Sequence, residues 1–178
     1  MKFGRTYTVK EIAELIGCKF VGEENHPVTG LNEIHKVENG DLVFVDHSKY
    51  YSKALDSAAT TVLIDKEVEC PEGKALIISD APFDDYNKLA KHFSPFIPQS
   101  TNRGENCHVD ETAIIYPNVF IGSDVTIGKN VIVHPGTVIG NNVVLEDNVI
   151  VGPNSVIGHY AFYYKKKSDG YNRMHSCG

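Results

Sequence analysis

Disulfide chemistry is the first thing this sequence lacks. Four cysteines occur in 178 residues, Cys18, Cys70, Cys107 and Cys177, and none belongs to a C-x-x-C pair. Disulfide scaffolds are short and cysteine-dense, so free thiols in a reducing cytoplasm are expected. Metal motifs are missing as well. The eight histidines include no H-E-x-x-H and no Cys/His cluster at zinc spacing, and no metal or cofactor is expected. A basic surplus is absent: 17 Lys and Arg stand against 23 Asp and Glu, giving a net charge of −6. Nucleic-acid binding by phosphate neutralisation needs the opposite balance or a concentrated patch. The only dense patch, Lys165-Lys166-Lys167, reads as a solvated turn. No run approaches the ~20 apolar residues of a membrane span. Met1 to Glu11 carries charges and no apolar h-region, so no secretory signal is expected. Neither G-x-G-x-x-G nor G-x-x-x-x-G-K-S/T occurs, which removes the usual phosphate loops.

What is present divides into two unlike halves. Apolar residues make up 42% and charged residues 22%, an ordinary globular composition. Pro95, Pro98, Gln99, Ser100, Thr101, Asn102, Arg103 and Gly104 are loop residues and mark the break. Residues 1–100 are expected to form an α/β domain. Thr8-Val9-Lys10-Glu11 fits a capping box, Ile12, Leu15 and Ile16 recur at helical spacing, and Gly17 ends that helix. Short strand-like runs follow at 19–22, 27–31, 41–45, 61–64 and 75–78, with helical stretches at 50–57 and 84–92.

Residues 105–178 have a beat of six. Val109, Ile115, Ile121, Ile127, Val133, Ile139, Leu145, Val151 and Ile157 are nine aliphatics in register. Four positions beyond each lies a small or β-branched residue, from Ala113 and Val119 through Ser155 and Ala161. Gly follows the aliphatic at Gly122, Gly128, Gly140, Gly152 and Gly158. Hexapeptide periodicity predicts a parallel β-helix, with three units per triangular coil and hence about three coils. The aliphatic points inward, the plus-four residue packs near a corner, and Gly or an Asn or Asp neighbour tolerates the corner dihedrals.

After Ile157 the beat fails. The aromatic run Tyr160-Ala161-Phe162-Tyr163-Tyr164 leads into Lys165-Lys166-Lys167-Ser168-Asp169-Gly170, which reads as a loop excursion over 159–178. Phe162 and Tyr164 line a ligand cleft, or else form a contact between subunits or cover the end of the prism. His134 takes the corner position that Gly holds elsewhere, so its side chain points away from the core. It is a candidate for a subunit cleft, with a lone surface histidine as the alternative. His134 and His159 are 25 apart, not a multiple of the 18-residue coil, which argues against a stacked zinc site.

Hexapeptide prisms of this kind resemble the acyltransferase superfamily, whose β-helices are left-handed and whose members are homotrimers with active sites between subunits. The order of the two halves is similar to that of the UDP-3-O-(3-hydroxyacyl)glucosamine N-acyltransferases of lipid A biosynthesis. Two segments carry the likeness. Gly40-Asp41-Leu42-Val43-Phe44-Val45-Asp46-His47-Ser48-Lys49-Tyr50 resembles the family's uridine-holding segment. Val156-Ile157-Gly158 with Phe162, Tyr164, Gly170-Tyr171 and a closing Gly178 resembles the family's G-x-D-G-F-G loop. Tyr160-Ala161-Phe162-Tyr163 departs from that loop by putting bulk in place of both glycines.

The resemblance implies transfer of a 3-hydroxyacyl chain from acyl carrier protein to the 2-amine of a UDP-linked 3-O-acyl-glucosamine, by a cytoplasmic homotrimer without a cofactor. It implies that Phe44 and Tyr50 stack on uracil, that Lys49 meets the diphosphate, and that His47 bonds the uracil edge or ribose. Phe44 alternates with Leu42, so a core role is the competing reading. The family's catalytic histidine lies in later coils, so the chain is expected to be an N-terminal portion with no assignable catalytic residue. Two alternatives stand beside this reading. One is a non-catalytic trimeric hexapeptide module that binds nucleotide sugars or acts as a scaffold. The other is a sugar acetyltransferase using acetyl-CoA, against which the missing dinucleotide fingerprint argues.

Overall fold

The structure, a computed structural model, describes residues 1–168 and 170–175. Asp169, Ser176, Cys177 and Gly178 lie outside the described residues. The chain forms two compact units, Met1–Pro95 and one beginning at Phe96.

The first unit is built from β1 (Lys2–Thr8), α1 (Val9–Ile16), β2 (Lys19–Val21), β3 (Pro27–Leu31), β4 (Asp41–Val45), α2 (Tyr51–Leu55), β5 (Thr61–Ile64), β6 (Ala75–Ile78) and α3 (Pro82–Phe93). α1 starts where the capping box places it. Thr8 Oγ1 accepts from the Glu11 amide at 3.1 Å, and the Glu11 carboxylate accepts from the Thr8 amide at 2.8 Å. Gly17, at φ 70°, closes the helix in the left-handed region that disfavours a Cβ.

The six strands form one sheet in the order β1-β3-β4-β5-β6-β2. The inner strands β3, β4, β5 and β6 are parallel, and the edges β1 and β2 run antiparallel to their neighbours. β4 and β5 read as near-continuous apolar runs because both faces of the sheet are covered. Val43, Val45, Val62, Ile64 and Leu76 form one core with Ala54 of α2 and Ala59. By strand alternation Leu42 and Phe44 face the other way, where Phe44 meets Phe83 and Tyr86 of α3.

β1 is an addition to the strands read from the sequence. It contains Gly4, pairs with β3 alone, and its register slips between Lys2 and Tyr7, so no period-2 pattern announces it. It is tied down by charge instead. Lys2 Nζ donates to the fully buried Asp41 carboxylate at 2.8 Å, which also accepts from the Glu38 amide at 2.9 Å and from Asn32 Nδ2 at 3.3 Å.

The second unit begins with nine two-residue strands, β7 (His108–Val109), β8 (Ile114–Ile115), β9 (Phe120–Ile121), β10 (Thr126–Ile127), β11 (Ile132–Val133), β12 (Val138–Ile139), β13 (Val144–Leu145), β14 (Ile150–Val151) and β15 (Val156–Ile157). They stack as three parallel sheets, β7-β10-β13, β8-β11-β14 and β9-β12-β15. This is the left-handed parallel β-helix that the six-residue beat and the resemblance lead one to expect. Pairing is offset by one coil of 18 residues: Thr126 lies between His108 and Val144. The aliphatic and plus-four sets both enter the interior, where Val119, Ile121, Val125, Ile127, Val131, Val133, Ile139, Leu145 and Val151 form one core.

At the corners the Asn and Asp part of the expectation holds, and the glycine part holds at one of the five positions named. Gly122, Gly128, Gly140 and Gly152 lie outside the left-handed region. That conformation belongs to Asn106, Asn118, Asp124, Asn130, Asn142, Asn148 and Asn154, at φ from 54° to 64°, and to Gly136 at φ 75°, each three residues before the aliphatic; of the glycines that follow an aliphatic, Gly158 adopts it, at φ 72°. Asn and Asp tolerate it because their short polar side chains bond locally. The glycines make room for the next coil. A Cβ on Gly128 would stand 2.4 Å from Asp147 Oδ1, the atom that accepts from the Lys129 amide at 2.7 Å.

The segment after Ile157 is also more regular than a loop. β16 (Tyr164–Lys167) and β17 (Gly170–Arg173) form an antiparallel hairpin. Lys165, Lys166 and Lys167 therefore lie in a strand, not in a turn. Tyr164, Lys166, Tyr171 and Arg173 share the exposed face of this ribbon, and Lys165, Lys167 and Asn172 are half-buried on the other.

Candidate functional site

Four of the residues singled out from the sequence lie at the C-terminal end of β4. In open parallel sheets ligands bind in the crevice beyond the carboxyl ends of the strands. β4 is an interior strand, and the chain leaves it at that carboxyl end of the parallel strands. A single 3-10 turn, Ser48–Tyr50, follows and runs directly into α2. His47 caps this turn: its Nδ1 accepts from the Lys49 amide at 3.2 Å. With Nδ1 occupied as acceptor, neutral His47 carries its proton on Nε2 and presents a donor.

His47, Lys49 and Tyr50 are all exposed, Tyr50 by 48%. The His47 and Tyr50 rings meet edge-on with centroids 6.1 Å apart, and Lys49 Nζ stands 5.5 Å from the Tyr50 centroid. One turn thus presents an aromatic face, an imidazole donor and a cation. That set suits a flat heterocycle joined to a phosphate.

Phe44 is placed differently. It is half-buried, 4.8 Å from the Tyr86 ring centroid and 5.9 Å from that of Phe83. The core packing that its alternation with Leu42 predicts is therefore observed.

Two features of this region carry no signal in the sequence. The Tyr51 hydroxyl donates to Asp65 at the end of β5, tying the start of α2 to the neighbouring strand. Burial and the Asp65 carboxylate push the Tyr51 hydroxyl up to about 12, so it stays a donor throughout the neutral range. The Asp41 cluster anchors the opposite end of β4. Neither pair has a recognisable spacing, since the partners meet only across strands.

The candidates in the second unit fall into two groups. His134 stacks on Tyr116, one coil away, with centroids 5.2 Å apart and an interplanar angle of 14°. Phe162 and Tyr164 meet at 5.1 Å, and Arg173 lies 5.0 Å from the Tyr160 centroid and 5.8 Å from that of Tyr164.

Cys18, Cys70 and Cys107 are free thiols. Burial and the neighbouring Asp85 carboxylate push Cys18 up to about 11, which keeps it protonated and unreactive at neutral pH. Among the described residues no group of three His, Cys, Asp or Glu side chains could hold a metal ion. Among them, too, no helix is long and apolar enough to cross a membrane.

Comparison with known proteins gives this geometry a context. Residues 25–92 match the family model of UDP-3-O-(3-hydroxymyristoyl) glucosamine N-acyltransferase, LpxD. Residues 104–141 and 124–159 match the bacterial transferase hexapeptide. A UDP-3-O-acylglucosamine N-acyltransferase of Syntrophotalea carbinolica is 32% identical over 122 residues, 67% of this chain and 33% of that protein. Proteins of the same name from Syntrophus aciditrophicus and Lawsonia intracellularis are 30% and 31% identical, over 65% and 68% of this chain and 34% and 37% of their own lengths. The chain spans about a third of the length of these curated relatives.

Proposed function

From a chain that joins the N-terminal domain of the UDP-3-O-acylglucosamine N-acyltransferase family to its hexapeptide repeats, we propose an N-acyltransferase of lipid A biosynthesis. The substrate is a UDP-linked 3-O-acyl-glucosamine, and the donor is a 3-hydroxyacyl thioester of acyl carrier protein. The neutral 2-amine attacks the thioester carbonyl. An amide C–N bond forms, the C–S bond breaks, the thiol leaves with a proton, and a general base takes the proton of the amine. We assign that base to no residue of this chain.

The part assigned to this chain is recognition. Tyr50 stacks on uracil with Phe44 beneath the same strand end, His47 Nε2 donates to a uracil carbonyl or the ribose, and Lys49 meets the diphosphate. The observation that carries this reading is the exposed His47–Tyr50 turn at the end of β4, inside the segment that matches the family.

The same proposal includes a cytoplasmic homotrimer. Two of the three prism faces carry apolar ladders along their outward positions, Ile114-Ile132-Ile150 and Phe120-Val138-Val156. Ile150 is 65% and Val156 59% exposed in the single chain. Two apolar faces per chain suit a closed ring in which each face meets a different neighbour. His134 on Tyr116 would then border the cleft between neighbours.

Calorimetric titration with UDP-N-acetylglucosamine tests the recognition. Saturable binding is expected. Tyr50→Ala should weaken it about tenfold, since base stacking is worth ~1–3 kcal/mol and uracil sits low in that range. Absence of binding by the folded wild-type chain, or unchanged affinity in Tyr50→Ala, would contradict the proposal.

A further inference from the structure

The hairpin of β16 and β17 presents a face that the nucleotide site does not use. Opposed residues of an antiparallel pair lie on one face, and the pairs are Tyr164 with Arg173 and Lys166 with Tyr171. All four are exposed, Tyr171 by 69% and Tyr164 by 42%. Phe162, just before β16, is 94% exposed and lies against Tyr164. Large apolar rings in water concentrated on one short segment mark an interaction surface.

The charge of the segment says what kind of surface it meets. Residues 164–173 hold Lys165, Lys166, Lys167 and Arg173 against the single carboxylate Asp169, in a chain whose net charge is −6. Positive charge is therefore locally in excess along this ribbon, while the chain as a whole is net negative. An extended nucleic acid would have to run beyond the ribbon to gain many phosphate contacts. A plane that touches the ribbon alone meets that local excess. Tyrosine rings with an apolar body and a polar tip favour the headgroup level of a bilayer, and lysine and arginine stems reach from that level to lipid phosphates.

We propose that the exposed face of the β16–β17 hairpin docks on the headgroup layer of an anionic lipid bilayer. Phe162 and Tyr171 enter the interface and Lys166 pairs with lipid phosphates, while Arg173, which donates to the Tyr160 carbonyl at 3.1 Å, adds positive charge to the same face. The binding is peripheral and reversible, as expected for a small apolar anchor with a few basic residues. It does not depend on nucleotide recognition at the turn after β4.

The test is co-sedimentation of the chain with phosphatidylglycerol vesicles and with phosphatidylcholine vesicles. Binding to the anionic vesicles only, released by salt, is expected. Each cation at such a surface is worth about fivefold in affinity, so Lys166→Glu should weaken binding about tenfold or more. Phe162→Ser should weaken it at low salt as well. Lys10→Glu, the same charge change in the first unit, should leave it unaltered. Circular dichroism and sedimentation velocity on the same variants report fold and assembly. The proposal is overturned by failure to bind anionic vesicles, by equal binding to both lipids, or by hairpin variants that bind as the wild type does. It is also overturned if the hairpin variants dissolve an oligomer without changing vesicle binding, because a second copy then covers this face.

Discussion

Gly122→Ala is expected to destabilise the β-helix by about 3 kcal/mol, while Gly152→Ala is expected to be neutral or stabilising by up to about 1 kcal/mol. The two glycines occupy the same place in the hexapeptide, one residue after the inward aliphatic. They differ in what the next coil brings close. A Cβ on Gly122 would lie 2.4 Å from Asn141 Oδ1 and 2.7 Å from both the Asn141 amide nitrogen and the Gly140 carbonyl carbon. Asn141 Oδ1 cannot simply swing away, because it accepts from the Ser123 amide at 2.9 Å. On Gly152 the nearest neighbour would be Ser155 Oγ at 3.9 Å. Urea unfolding of the two variants beside the wild type gives the comparison. Equal losses would mean that the repeat needs glycine for its backbone conformation and not for clearance from the next coil.

Asp41→Ala is expected to cost about 3 kcal/mol, again read from urea unfolding. Asp41 is fully buried, so its removal leaves the Glu38 amide without its acceptor and Asn32 Nδ2 with the Lys36 carbonyl alone. Lys2 is about half exposed and is rehydrated, which holds the loss to the lower end for a broken buried pair. Asp41→Asn keeps the shape and loses less.

The pH dependence follows from the same contacts. Burial alone would raise the Asp41 carboxyl, but the bonds from Lys2, the Glu38 amide and Asn32 outweigh it and hold the carboxyl below its ordinary 3.8. A depressed folded-state value contributes stability above the unfolded value, and that contribution is lost as pH falls through the folded one. The difference between wild type and Asp41→Asn should therefore be constant near neutrality and shrink below about pH 4. A difference that grows on acidification would contradict the assignment.

The parts of the fold that the sequence announces are those with a strong local period. Nine aliphatics at a spacing of six can satisfy one architecture only, and Thr8 and Glu11 cap a helix within four residues of chain. What stays hidden depends on partners far apart in sequence. β1 is held by the Lys2–Asp41 contact, 39 residues apart, and not by any alternation of its own. The corner glycines mislead because a sequence records that Cβ is absent but not why. Beside Gly122 and Gly128 the left-handed residue is the Asn or Asp four positions earlier, and the glycine answers the next coil. The lysines of β16 suggest a turn because charge usually goes with solvent and turns, whereas they fall in a strand with one exposed and one half-buried face.

The candidate site is legible as a segment and less so as geometry. His47, Lys49 and Tyr50 fall on one exposed turn, as their proximity in sequence allows. Phe44 follows the alternation of β4 into the α3 side, where Tyr86 and Phe83 meet it. Sequence distance fixes that Phe44 and Tyr50 are near in the chain, but the direction of each ring is decided by the strand and by the turn separately. The Tyr51–Asp65 contact joins the start of α2 to the end of β5, which only the folded sheet brings together.

The central claim is that uridine nucleotide is held at the turn after β4. The most direct measurement is amide chemical-shift mapping of the isotope-labelled chain during titration with UDP. The largest shifts are expected at Asp46, His47, Ser48, Lys49 and Tyr50, smaller ones at Tyr51 and Asp65, and none of comparable size in the β-helix strands. Saturating UDP that leaves 46–50 unmoved, or that shifts only prism or hairpin amides, would contradict the claim.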